Sequence, residues 1–145
     1  MNKSIKTEII INSSKERVWE VLTTFKDYPN WNPFLVCVEG ELMPGRRLKN
    51  TMINGDKTFV FKPVVLTVAP YQYFDWLGSL FVKGIFDGHH YFEIDELNAN
   101  QVKLNHGEHF SGLLSTTILK KIGNTTRNNF IKMNQAIKAI TENNS

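Results

Sequence analysis

Three ionisable side chains stand on what otherwise reads as an apolar surface. Phe92 and Ile94 are two residues apart, as are Val102 and Leu104 beyond the break at Asn98-Ala99-Asn100, so even-numbered positions form the apolar face of two neighbouring strands. Extending that face places His90, His106, Glu108 and Phe110 inward. Every hairpin register of this parity sets His90 across from His106 or from Glu108. Burying such groups is costly unless they pair. A carboxylate beside an imidazole can hold the ring in one tautomer and tune it, which suits a polar ligand head or general acid/base work on a carbonyl compound. The same groups, satisfied among themselves, would instead order the end of a sheet.

Other chemistries find less support. His90, His106 and Glu108 are ligand types suited to zinc, but His89 and His109 face the other way by parity and no helix carries a His-x-x-x-His pair. No metal site is expected. Cys37 is the single cysteine, so no disulfide framework forms and the residue is expected to pack as a small hydrophobe. Gly-x-Ser-x-Gly and glycine-rich phosphate loops are both missing, so neither a nucleophile elbow nor a cofactor is implied.

The elements that must position these residues follow from periodicity. Ile5, Thr7, Ile9 and Ile11 alternate with Lys6, Glu8, Ile10 and Asn12, predicting a strand that ends near Asn12. Ser13, three residues before Glu16, reads as a capping box, and Val18, Val21, Leu22 and Phe25 follow at helical spacing beside Trp19. The two prolines of Tyr28-Pro29-Asn30-Trp31-Asn32-Pro33-Phe34 allow at most one helical turn. Turn chemistry at Pro44-Gly45, Asn54-Gly55, Ala69-Pro70, Gly78-Ser79 and Lys83-Gly84 then predicts six strands, over 34–42, 46–53, 57–69, 71–78, 85–95 and 101–110. Their short connections make an antiparallel meander. Leu119, Ile122, Thr126, Phe130, Met133, Ile137 and Ile140 recur at steps of three and four, predicting a helix over 114–141 that Gly123 could kink.

The fold expected is α+β: one domain over 1–145, with a curved seven-stranded antiparallel sheet facing a single long helix. One helix cannot fill such a sheet, so a cavity should remain between them. The 12% aromatic content supplies its walls. Trp31, Phe34, Phe59, Phe61, Phe74, Trp76, Phe81, Phe86, Phe92, Phe110 and Phe130 are the candidate lining residues, with His90, His106 and Glu108 as the polar group. Thr126 interrupts the apolar helix stripe where a packed core would prefer a larger side chain. Trp31, rigid between its prolines, is a structural plug or shapes the rim. Leu80-Phe81-Val82 falls where a hairpin tip would be polar, so it either folds over the cavity mouth as a gate or is exposed to a membrane or partner.

A charge of +3 from 17 basic and 14 acidic residues, scattered along the chain, does not suggest nucleic acid. The apolar run Ile9-Ile10-Ile11 is too short for a signal peptide and no later run reaches membrane-spanning length. A cytoplasmic protein without stable membrane insertion is expected, either monomer or homodimer.

Several segments together carry a family likeness: Val18-Trp19-Glu20-Val21-Leu22, Trp31-Asn32-Pro33-Phe34, Gly84-Ile85-Phe86-Asp87-Gly88 running into His90-Tyr91-Phe92-Glu93, His106 to Leu114, and Phe130 to Lys138. In this order, over essentially the whole chain, the sequence resembles the START-like (SRPBCC) superfamily in its polyketide cyclase/dehydrase branch. The resemblance implies a helix-grip fold around a hydrophobic cavity. Members include lipid carriers, hormone receptors, aromatases/cyclases and chaperone-activating domains, so the likeness implies a pocket more firmly than a reaction. The leading expectation is binding or transport of a small hydrophobic ligand, whether lipid, aromatic or polyketide-like. The alternatives are a cyclase/aromatase or dehydratase using His90 and Glu108 as acid and base, and a protein-interaction module.

Overall fold

The computed structural model describes residues 3–80 and 82–143. In chain order its elements are β1 (Ser4–Ile11), α1 (Lys15–Thr23), a 3-10 turn (Phe25–Asp27), α2 (Tyr28–Trp31), β2 (Leu35–Glu39), β3 (Lys49–Asn54), β4 (Lys57–Phe61), β5 (Val64–Ala69), β6 (Tyr73–Leu80), β7 (Phe86–Asn98), β8 (Gln101–Ser111) and α3 (Ser115–Asn143). The expected α+β helix-grip architecture is present, with an antiparallel sheet wrapped around a long C-terminal helix.

The strand count differs from the expectation of seven in one sheet. Five strands pair in the order β1-β8-β7-β6-β5 and three in the order β2-β3-β4. The segment 57–69, expected as one strand, is divided between the two sheets at Lys62-Pro63. Proline has no N–H to continue a ladder and restricts the residue before it, so β4 finishes on β3 and β5 starts afresh on β6. The sheets remain stitched where Pro63 accepts from the Leu48 amide at 2.8 Å and the Val65 amide donates to Arg46, also at 2.8 Å.

The turn at Pro44-Gly45 is of the expected kind: the Arg46 amide closes onto the Met43 carbonyl at 3.0 Å, and Gly45 supplies the positive φ of 86° that the third position of a type II turn demands. The cap of α1 is a correction. Ser14, not Ser13, has extended backbone and accepts the Arg17 amide, because β1 stops at Ile11 and the intervening residues make the bend.

Helix α3 is unbroken through Gly123 and about 43 Å long at 1.5 Å per residue. Its buried stripe of Leu119, Thr126, Phe130, Met133, Asn134, Ile137 and Thr141 faces β1, β8 and α1. Two cations lash it to the edge strand: Arg127 donates to the Lys6 carbonyl at 3.1 Å and Lys138 to that of Ile10 at 2.9 Å. A core of Ile11, Leu22, Tyr28, Leu35, Phe74, Phe92, Leu104, Met133 and Ile137 fills the end of the molecule where α1 also packs. At the opposite end the small sheet and the first turns of α3 face the large sheet.

Candidate functional site

At that end a pocket opens between the two sheets and α3. Its walls are Phe34 and Leu35, Met52 and Asn54 of β3, Phe61 of β4, Trp76, Gly78 and Ser79 of β6, Phe86, Gly88 and His90 of β7, Glu108 and Phe110 of β8, and Ile122 and Thr126 of α3. The cavity itself is small, about 50 Å³, and opens to solvent at its mouth. Most of the wall is apolar, and flat rings dominate it: Phe86 and Phe110 stack with planes 4° apart, and Trp76 lies over the His90 ring at 5.3 Å.

Period-two geometry delivers the polar group as expected. β7 and β8 pair so that His90 opposes Glu108 and Phe92 opposes His106. His90 is 3% exposed, and its Nδ1 stands 3.4 Å from Glu108 Oε1. The Glu108 carboxylate turns over Gly88, where any Cβ would collide with it, so the missing side chain on β7 makes its room. Behind His90, its Nε2 meets His106 Nε2 at 2.8 Å, and His106 Nδ1 meets Asn134 Oδ1 at 2.8 Å. Asn134 Nδ2 donates to Thr7 Oγ1 at 2.9 Å, and the Thr7 hydroxyl donates to the His106 carbonyl at 2.6 Å. Burial, with the neighbouring His90 adding to it, holds the His106 imidazole well below the usual histidine range against the opposing pull of Asn134.

Of the residues singled out from sequence, Phe34, Phe61, Trp76, Phe86, His90, Glu108, Phe110 and Thr126 meet at the pocket. The others lie elsewhere. Phe74 and Phe92 belong to the filled half of the sheet, where the Trp19 ring packs edge-on against Phe74 at 5.6 Å. His106 and Phe130 sit one layer behind the wall, with rings 4.3 Å apart and parallel within 4°. Trp31 packs on Tyr28 at 5.0 Å in α2. Phe59 shares the face of Phe61 but is not among the residues that line the pocket. Phe81 lies outside the described residues, so the gate reading rests on Val82 alone, whose side chain is 68% exposed.

Leu35, Met52, Asn54, Ser79, Ile122 and the glycines 78 and 88 complete the wall without having been singled out as site residues. Ile122 was legible as the helix residue one turn before Thr126; the glycines carry no apolar signal at all. On the outer face, as parity requires, His89 bonds to Asp75 at 2.6 Å and His109 to Ser4 at 2.8 Å. Among the described residues no group of three His, Cys, Asp or Glu side chains is placed to hold a metal ion. None of their helices is long and apolar enough to cross a membrane.

A two-part antiparallel sheet closed on a long C-terminal helix, with an aromatic pocket at the less-packed end, defines a helix-grip protein with a ligand-binding architecture. Residues 3–122 match the family described as polyketide cyclase/dehydrase and lipid transport. The chain belongs to that family. Among solved structures it is similar to an aromatase/cyclase from a Streptomyces species, with a TM-score of 0.79 and 14% identity over 96% of this chain and 93% of that one. Norcoclaurine synthase from Thalictrum flavum, in complex with dopamine and hydroxybenzaldehyde, matches with a TM-score of 0.74 and 14% identity over 100% of this chain and 89% of that one. A START superfamily protein from Mycobacterium smegmatis matches with a TM-score of 0.72 and 16% identity over 98% and 99% of the two chains. At such identities the likeness is one of fold. No curated protein matches the chain in sequence.

Proposed function

We propose that this protein binds or carries a small hydrophobic molecule in the pocket between the sheets and α3. The observation that carries the reading is a wall of stacked aromatic rings and aliphatic side chains in which His90 and Glu108 are the ionisable pair. Such a surface gains from burying an apolar ligand while one polar contact orients it. Native mass spectrometry of gently purified protein should show a co-purifying small molecule, and stripped protein should gain thermal stability with a subset of a hydrophobic ligand panel. A ligand at a hundred times its dissociation constant adds about 2.7 kcal/mol. No retained molecule and no shift across the panel would remove the proposal. The same spectrum separates monomer from homodimer.

A second reading is catalytic, and the 3.4 Å approach of His90 Nδ1 to Glu108 Oε1 on the pocket wall favours it. An imidazole and a carboxylate facing the same space can pass a proton to and from a carbonyl substrate, as a cyclase/aromatase or dehydratase requires. Should turnover of such a compound be found, His90→Ala and Glu108→Gln are each expected to lower it by about 10²–10⁴-fold. Unchanged turnover in both variants would leave the binding reading alone. The third reading, a protein-interaction module, draws on exposed Val82, Leu113 and Leu114, brought together where Leu113 and Leu114 hydrogen-bond back to Gly84 and Ile85.

A further inference from the structure

The hydrogen bonds behind His90 have a direction, and one atom sets it. The carbonyl oxygen of His106 only accepts, so the Thr7 hydroxyl, 2.6 Å away, must donate to it. Thr7 Oγ1 then offers its lone pair to the Asn134 amide nitrogen at 2.9 Å, which turns Asn134 Oδ1 toward His106 Nδ1 and demands a proton on that nitrogen. A fully buried imidazole is neutral and carries one N–H, so His106 Nε2 accepts. His90 Nε2, 2.8 Å from it, is therefore the donor.

Only His90 Nδ1 is left undetermined, and it faces the Glu108 carboxylate at 3.4 Å. A bare nitrogen lone pair against an ionised carboxylate would repel. A proton on either side turns that repulsion into attraction. Wherever it sits, the pair has no net charge, and the remaining Glu108 lone pairs have no protein hydrogen-bond donor among the described residues.

We propose that the polar end of the pocket holds a single exchangeable proton between His90 and Glu108 and selects an uncharged aromatic molecule bearing a hydroxyl group, with Asn134 and Thr7 as positioning residues that orient the relay. This rests on the reading of the cavity as a ligand pocket. A hydroxyl donates to the free Glu108 oxygen without adding charge to a neutral site. A ligand carboxylate would carry a net charge into a mostly apolar wall whose lining holds no lysine or arginine to balance it. The flat rings of Trp76, Phe86 and Phe110 favour a planar body.

Two measurements test this. In titration calorimetry at neutral pH, 2-naphthol is expected to bind at least about tenfold more tightly than 2-naphthoate, since the phenol gains a hydrogen bond while the carboxylate must carry a net charge into an uncharged, mostly apolar site. Glu108→Gln should shrink that preference by at least about threefold. Equal binding of the two probes, or a preference unmoved by Glu108→Gln, overturns the inference and leaves the pocket reading standing; binding of neither removes both. Long-range nitrogen NMR of the imidazole rings should find His106 as the Nδ1–H tautomer, disturbed in Thr7→Val and restored in Thr7→Ser. An Nε2–H tautomer in the unmodified protein, or an unmoved signature in Thr7→Val, overturns the relay.

Discussion

Phe130→Ala is expected to cost about 3–5 kcal/mol of folding stability. The Phe130 ring is fully buried and lies parallel to His106 at 4.3 Å, with His90 at 5.0 Å and Phe34 at 5.4 Å. Truncation removes the transfer energy of a whole ring and leaves a void whose walls cannot close. On one side stand hydrogen-bonded imidazoles; on the other, α3 is held by Arg127 on the Lys6 carbonyl and by Asn129 on Asn54 at 2.8 Å. Urea unfolding should show the midpoint falling with the denaturant slope unchanged. Phe130→Leu, which keeps most of the volume, should cost less than half as much. A loss below about 1 kcal/mol for the alanine variant would mean that α3 moves in to fill the space, contrary to this picture of a pinned helix.

Acidification should destabilise the fold before the carboxylates titrate, and His106 is the reason. Its folded state favours the neutral ring, because burial and the nearby His90 oppose a charge there. The unfolded residue titrates near pH 6.5. Between that value and the lower folded one, the unfolded chain carries the extra proton, so stability is fully present above about pH 6.5 and falls as pH falls, by up to about 1.4 kcal/mol per unit. From pH 6.5 to 5.0 the loss is at most about 1.7 kcal/mol. His109 adds in the same direction and more weakly, being held lower by partial burial, then His89 and Lys6, on a more solvated face. The groups facing His106 from its neighbours are His90 on β7, Asn134 and Phe130 on α3 and Thr7 on β1. His106→Asn keeps a donor toward Asn134 but does not titrate, so the difference in unfolding free energy between pH 6.5 and 5.0 should shrink by most of that amount. An unchanged pH slope in the variant would show that the ring is already charged in the folded state.

The two tests bear on different layers of the same device. Phe130 and His106 form the dry backing of the pocket, and His90 with Glu108 its polar front. In the proposed ligand pocket, rigidity behind the wall would let a small number of polar atoms in front discriminate between ligands.

The local rules of the chain already determined much of this. Alternation at Phe92, Ile94, Val102 and Leu104 is enough to put His90, His106 and Glu108 inward and His89 and His109 outward, since side chains in a strand have a strict period of two. Helical spacing placed Thr126 on the inner stripe, and turn chemistry marked the hairpin at Asn54-Gly55. Beyond that period the chain is silent. Parity allowed His90 to face either His106 or Glu108, and only the settled register opposes it to Glu108 while the side-chain tilt lets it touch both. Asn134 and Thr7 are 127 positions apart and entered the site only through the packing of α3 on β1 and β8. The aromatics at one period divide between wall and filling because α1 packs over one end of the sheet, while at the other the small sheet and α3 leave a pocket between them. Faces are local properties of a chain; which face is filled, and which proton points where, depends on partners that only the closed fold brings within reach.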